Sequence, residues 1–394
     1  MTKLLLSCDD YVYKHEGNYY AGRLDLVEFY QRYLRVFDRV RLVARCVEEP
    51  ELKPNRIPLN CDPRIEYVPI PEFHGPKEYA KVYFKVGRAM SKAVKGCDAA
   101  VVRIPSTVAL RVGALAKKAG IPYACEVVFD AQDGWKGSKG LNRFAWKHID
   151  MQMRQICATA EGVSCVTEKY LQQHYFSSKP DAFTSHYSSL ALPSDFYGKN
   201  KVFPQHQPIV IAHTSNHVEY DGRKGHVEII EAIRLLKEKG ISVVAKFAGR
   251  NQNGGIEKLY ALAQAKGVAD RIEFVGYLSR EELDIFLEEA DLYVMPTRAE
   301  GLPRVIIEAM AKGLPCITTP VSGNPELVAE HFLVKYEDTV LLADRIKELV
   351  SDAELYERTS RENLEESKKY EASVLEARRD EFYKKLKTRI PDKD

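Results

Sequence analysis

The chain reads as an α/β protein built from two doubly wound, parallel-sheet domains. Three observations predict this. Short apolar runs alternate with helix-period segments from one end to the other, the pattern of strands covered on both faces by helices. The length of 394 residues suits two domains of roughly 150–200 residues, each able to bury a core. A polar stretch with two prolines, residues 195–208, interrupts the alternation, and a fresh strand–helix series starts beyond it.

Taken in order, the first half offers strands at Leu4–Ser7, Val40–Ala44, Ile65–Ile70, Ala99–Ile104, Tyr123–Val128 and Gly162–Val166. The second half offers Ile209–His213, Val243–Ala248, Ile272–Val275, Leu292–Pro296 and Cys316–Thr318. The clearest helix carries Ile229, Ile230, Ile233 and Leu236 on one face and stops at Lys239-Gly240, a basic last turn followed by a glycine cap. After about Asp352 the chain turns charged and helical, and Leu375, Phe382, Leu386 and Ile390 recur at helical spacing. These signals divide the chain into domains over 1–200 and 201–370, with a helix over 371–394 packing back on the body. A cleft between the domains is expected to hold the ligand, because ligands of open α/β sheets bind at the carboxyl ends of the strands.

Composition removes several function classes. Hydrophobic residues make up 45% and charged residues 29%, and the net charge is +2, too mild to argue for nucleic acid. No run of eighteen apolar residues occurs, and two acids follow the first apolar run before it reaches signal-peptide length; neither a membrane span nor an export signal is expected. The eight cysteines form no Cys-x-x-Cys pair and sit at no zinc spacing with histidine, so buried free thiols in a reducing cytoplasm are expected.

The chemistry concentrates around Glu300-Gly301-Leu302-Pro303 and Glu308. On a helix, carboxylates eight residues apart would be separated by about 12 Å and turned by roughly 80°, which excludes a shared metal ion or scissile bond and suits a long ligand gripped at both ends. Gly301 permits close backbone approach, Pro303 suits a first helical turn, and the free N–H groups of that turn form an anion site. Glu300 is placed to accept hydrogen bonds from sugar hydroxyls and Glu308 from a ribose diol; a surface carboxylate and a turn glycine are the plainer alternatives. Asp221-Gly222-Arg223-Lys224-Gly225 stands at the entrance of the Ile229 helix, where two cations would stabilise a departing diphosphate, or simply form a solvated basic turn. Arg250 follows another strand and is a further phosphate candidate.

These residues carry a resemblance. The run from Ile272 through Tyr277-Leu278, Ala290–Thr297, Glu300-Gly301-Leu302, Glu308–Ala311, Gly313-Leu314-Pro315 and Gly323–Val328 resembles the donor half of family-four retaining glycosyltransferases, whose signature is two glutamates separated by seven residues. The likeness is strongest over 209–330 and weaker through the first half, where Val166–Leu171 resembles the family's last N-domain strand and helix. It implies the GT-B fold: two Rossmann-like domains, acceptor-binding over 1–200 and nucleotide-sugar-binding over 201–370. It also implies hexosyl transfer with retention, from a nucleotide-diphosphate sugar to a glycan or lipid-linked acceptor in polysaccharide or glycoconjugate synthesis, without cofactor or obligatory metal. Glu300 would contact the donor sugar, Glu308 the ribose, and the backbone of Tyr277 and Leu278 the base. Gly301, Leu302 and Pro303 would lie against the diphosphate with Arg223 and Lys224.

Two departures are visible. The first C-domain strand runs into His213-Thr214-Ser215-Asn216-His217 where the family commonly has a glycine–arginine pair, which leaves open whether Arg223 or Lys224 takes the phosphate. The stretch Glu126–Asp133 lacks the histidine many members carry; Asp130 or Glu126 is the substitute candidate, with Asp130 read as the catalytic one. Gly17 and Asn18, in the loop Lys14–Gly22, are candidates for a donor–acceptor lip. No dinucleotide or Walker loop is present, and the one Asp-x-Asp, at 392–394, is too terminal to hold a metal. Lys81, Lys85, Arg88 and Lys92 form a helical stripe that would attract an anionic inner-membrane face or a lipid-pyrophosphate acceptor, or else form a solvated helix face. An epimerase or phosphorylase of the same architecture, and a two-lobed sugar-binding protein, are the rival classes.

Overall fold

The computed structural model describes residues 1–22, 24–59, 62–136, 140–220 and 222–392. Asp221, Cys61 and the last two residues of the tail Asp-x-Asp lie outside them. The chain forms two compact units, one of residues 1–187 with 376–394, the other of residues 188–375. Residues 188–200 belong with the second unit for a simple reason: Leu192 N–H donates to Tyr370 O, Gly198 N–H to Ala311 O and Tyr197 OH to Ser367 O.

The first unit is built on strands β1 (Lys3–His15), β2 (Asn18–Ala21), β3 (Arg39–Glu48), β4 (Ile57–Pro58), β5 (Ile65–Pro71), β6 (Ala99–Ile104), β7 (Tyr123–Val127), β8 (Gly162–Cys165) and β9 (Phe183–His186). Its parallel core runs β5-β3-β1-β6-β7-β8-β9, an order that reverses direction between β1 and β6 and so creates a switch point there. Helices α1 (Leu24–Gln31), α2 (Gly75–Val94), α3 (Thr107–Lys118), α4 (Ala131–Lys136) and α5 (Gly140–Ala158) accompany these strands. Leu4, Leu5, Leu6, Val101 and Val102 are fully enclosed, as expected of strands covered on both sides.

Two expectations are corrected here. Residues 14–22 are not an open loop: β1 continues to His15 and pairs antiparallel with β2 through a two-residue Glu16-Gly17 turn. Both turn residues have positive φ, 46° and 82°, the mirror-image turn that matches strand twist. After β8, residues 171–173 form one 3-10 turn rather than a helix, and β9 follows as the last strand.

In the second unit, β10 (Ile209–Val218), β11 (Val243–Asn251), β12 (Ile272–Gly276), β13 (Leu292–Met295) and β14 (Cys316–Thr318) form a parallel sheet in the order β12-β11-β10-β13-β14. Its helices are α6 (His226–Glu238), α7 (Gly255–Ala265), α8 (Arg280–Glu288), α9 (Arg304–Ala311), α10 (Thr339–Leu349) and α11 (Ala353–Ser367). The apolar face of α6 is fully buried at Ile229, Ile230, Ile233 and Leu236, each contributing about 1.5–3 kcal/mol. Gly240, at φ 74°, ends that helix.

Helix α12 (Ala372–Lys387) packs on the first unit from Glu376 onward. Phe382 meets Phe183 edge-on at 5.0 Å, and Tyr383 OH donates to Glu126 at 2.5 Å. Cys46, Cys97, Cys125, Cys157, Cys165 and Cys316 are free, and all of these but Cys46 are buried; burial pushes the Cys97 thiol up to about 11, which suits inert packing residues. Among the described residues no helix is long and apolar enough to cross a membrane.

Candidate active site

The switch point of the second sheet lies between β10 and β13, and a cavity of about 360 Å³ opens at their carboxyl ends. The pairing of β10 with β11 slips between Thr214 and His217. That irregularity releases Ser215 and Asn216 from the ladder, and both line the cavity. Two helices start beside it. Gly225, the N-cap of α6, adopts φ 81°; a Cβ there would collide with Pro296 O, so only glycine lets Arg223 and Lys224 fold against the end of β13. Pro303 is the N-cap of α9, and neither cap residue accepts a side-chain-to-backbone bond. The open N–H groups and positive helix ends favour an anion.

The loop after β13 is fastened to the cations. Arg298 N–H donates to Arg223 O at 2.8 Å, and Thr297 Oγ1 to the same carbonyl at 3.1 Å. Thr297 Oγ1 also lies 3.0 Å from Glu300 Oε1, and Lys224 Nζ stands 2.5 Å from that oxygen. Arg223, Lys224 and Arg304 therefore face Glu219 and Glu300 around one hollow, leaving a net positive charge for a ligand. Leu302 and Pro303 complete the wall.

Below the hollow lie two enclosed imidazoles, His213 and His226, with ring centroids 4.6 Å apart. His213 Nδ1 is 2.8 Å from Val294 O, which makes that nitrogen the protonated one. Burial lowers His213 to about 4; burial, together with His213 and Lys224, lowers His226 to about 2. Both are neutral at physiological pH and add no positive charge to the site.

The structure thus brings Arg223, Lys224, Glu300, Leu302 and Pro303 together, and it separates others. Gly301 holds the wall from behind by accepting Gly323 N–H at 3.0 Å. Glu308 lies outside the cavity lining; it is buried and ion-paired to Arg280. Glu300 is not helical, since α9 begins only at Arg304, so the 12 Å helical spacing expected for the two glutamates does not apply. Pro303 is itself extended, with ψ 108°, and Gly301 and Leu302 bend before it. Arg250 stacks its guanidinium 3.9 Å from the centroid of Tyr277, whose ring is 60% exposed. Leu278 follows that ring, one residue before the Ser279 cap of α8.

In the first unit, Asp130 is fully enclosed. Its Oδ1 accepts Gln132 N–H at 2.9 Å and Tyr175 OH at 2.8 Å, while His174 Nδ1 lies 3.2 Å from Oδ2. This enclosed carboxylate ties the entrance of α4 to Tyr175. Glu126 is likewise structural, receiving Tyr33, Tyr187, Tyr383 and Arg103. Gly17 and Asn18 are exposed at the tip of the β1–β2 hairpin. Sequence reasoning missed Thr297, Arg304 and the Ser215–His217 bulge as site residues. The signal for Thr297 was its position directly after a strand at the switch point.

Residues 206–366 match the family model of glycosyl transferases group 1. The match lies within the second unit and covers less than half of the chain. Protein CapJ of Staphylococcus aureus is 25% identical over 392 residues, 98% of this chain and 96% of its own. The amylovoran biosynthesis glycosyltransferase AmsK of Erwinia amylovora is 35% identical over 133 residues; the match spans 32% of this chain and 31% of that relative. Among solved structures, Anabaena HepE in complex with UDP and glucose superposes with a TM-score of 0.67 at 16% identity, covering 97% of this chain and 99% of its own. That likeness concerns the fold, which is GT-B.

Proposed function

We propose that this chain is a retaining, metal-independent hexosyltransferase that uses a nucleotide-diphosphate sugar and works in polysaccharide or glycoconjugate synthesis. The observation that carries the reading is the Lys224–Glu300–Thr297 cluster set against two uncapped helix starts. Lys224 and Arg223 supply the positive charge for the departing diphosphate, so its developing charge is met by preorganised groups. Glu300, fixed by Lys224 and Thr297, presents its remaining acceptor capacity to donor sugar hydroxyls. The exposed Tyr277 ring, backed by Arg250, offers a face for the base. HepE, the structural neighbour with UDP and glucose bound, and AmsK, named for amylovoran biosynthesis, support the same substrate class.

The reaction forms a bond between an acceptor oxygen and the sugar's C1 as the C1–O bond to the diphosphate breaks. The acceptor's proton passes to a leaving phosphate oxygen on the same face, which keeps the anomeric configuration. We place the enzyme in the cytoplasm, at the inner membrane face, on the basic stripe of α2. Thermal stabilisation by UDP, GDP and ADP identifies the base; a ligand at a hundred times its dissociation constant adds about 2.7 kcal/mol. Proton NMR of the product from the matching hexosyl donor, with chelator present, then reads the outcome. A retained anomer is expected. An inverted product, or activity abolished by the chelator, overturns the mechanism, and isomerised or phosphorolysed sugar overturns the reaction class.

A further inference from the structure

One wall of the hollow beside Lys224 and Glu300 is the slipped end of β10, where Ser215 and Asn216 line the cavity outside the regular pairing. A bulge disrupts the ladder, so such an end holds its shape only where other contacts fasten it. Two fastenings are present. On one side the backbone packs on β11: a Cβ at Gly249 would lie 2.5 Å from Ser215 O, and glycine allows that close approach. On the other side stands His226. Its Nε2 lies 3.4 Å from Ser215 Oγ, and Ser215 Oγ donates its own proton to His217 O at 2.7 Å. With that proton committed, the serine oxygen accepts from the imidazole. Nε2 therefore carries the ring hydrogen and Nδ1 is bare.

His226 is the first residue of α6, directly after Arg223-Lys224-Gly225. One side chain thus ties the helix behind the cation loop to another wall of the same hollow. The ring is 1% exposed and packs edge-on against His213 at 4.6 Å and Phe247 at 5.3 Å. Its Nδ1 has no hydrogen-bond partner among the described residues. An orphaned buried nitrogen opposes folding, and leucine or phenylalanine would fill this space without one. What histidine adds over those residues is the contact from Nε2 to Ser215.

We infer that His226 is a positioning residue of the diphosphate site. Its Nε2–H fixes Ser215 and, through Ser215, the bulge over residues 215–217, so that exposed Asn216 meets the ligand at a set distance from Arg223 and Lys224. The inference rests on the donor-site reading of that hollow. It gives His226 no contact with the ligand, since the ring does not line the cavity.

The test is calorimetric titration of the full chain with UDP, GDP and ADP, using whichever binds to compare three substitutions. His226→Phe keeps the ring and removes both nitrogens. His226→Asn stays polar but ends short of Ser215. His226→Gln sets an amide N–H where Nε2 stands. His226→Phe and His226→Asn should each weaken binding about tenfold, and His226→Gln should stay within about threefold of the unsubstituted chain. In a Ser215→Ala background, His226→Phe and His226→Gln should bind alike, because the acceptor they differ toward is gone. Far-UV circular dichroism checks each fold, and His226→Phe and His226→Asn report the loss independently, so either one decides if the other does not fold. Unchanged binding in the folded variants, His226→Gln as weak as His226→Phe, or a difference between those two that survives Ser215→Ala overturns the inference and leaves the donor-site reading standing. An unsubstituted chain that binds none of the three diphosphates overturns that reading and the inference with it.

Discussion

Lys224 Nζ stands 2.5 Å from Glu300 Oε1, a pair drawn from two loops 76 residues apart in the chain. Both side chains are largely buried. Removing one partner therefore leaves the other charge incompletely compensated. Lys224→Ala should weaken nucleoside diphosphate binding by about tenfold or more, the loss expected for one charge-assisted contact to phosphate. Calorimetric titration checks this, with Arg223→Ala, a more exposed cation, as the comparison that decides which of the two holds the phosphate.

Glu300→Gln keeps the size of the side chain and its acceptor oxygen toward Thr297, but it discards the charge facing Lys224. Turnover should fall about a hundredfold, while the melting temperature moves by only a few degrees. Normal turnover in this variant removes Glu300 from the donor site.

The buried His213 and His226 set a pH window. Their folded-state values, about 4 and about 2, lie below the ordinary value near 6.5. Their contribution is therefore complete above pH ~6.5 and declines as the pH falls toward 4, because the unfolded chain binds protons there that the folded chain refuses. The slope approaches about 1.4 kcal/mol per pH unit for each imidazole. Denaturant unfolding between about pH 4.5 and 7 should show this slope, and His226→Gln should remove roughly half of it.

Glu126 organises the first unit. Burial pushes its carboxyl up, but Arg103 and the Tyr383 and Tyr187 hydroxyls outweigh burial and hold it below the usual glutamate range. Glu126→Ala, which takes the carboxylate away from Arg103 and three tyrosine hydroxyls, should cost about 3–5 kcal/mol. Tyr383→Phe should cost about 1–2 kcal/mol. Chemical denaturation measures both, and a smaller effect for Glu126→Ala than for Tyr383→Phe would contradict this role.

The α2 stripe makes a separate prediction. Lys81→Glu, Lys85→Glu and Arg88→Glu together should lower flotation with anionic vesicles about a hundredfold or more, since each cation contributes about 1 kcal/mol near such a surface. Binding that survives the reversal assigns the stripe to solvent.

Much of the fold was legible because buried parallel strands are written as short apolar runs: Ala99–Ile104 and Cys316–Thr318 match the observed strands residue for residue. The hairpin at residues 3–21 was not, since its polar, tyrosine-rich second strand is half exposed and lacks an apolar run. In the site, Arg223, Lys224 and Glu300 were legible from glycine, charge and position after strands. The surroundings of Asp130 were not legible, because a buried cap and a catalytic acid share one local pattern, a carboxylate at a strand-to-helix turn, and its partners Tyr175 and His174 lie over forty residues away in sequence. Thr297 acts through its hydroxyl on a carbonyl and a carboxylate, contacts that no spacing rule encodes.

The most direct measurement is the position of a bound nucleoside diphosphate in crystals of the full chain. The diphosphate should lie against Lys224, Arg223 and the start of α9, within hydrogen-bond reach of the Gly301–Pro303 wall and beside Glu300. A diphosphate bound away from those residues, or a cavity left empty at saturating ligand, would contradict the account.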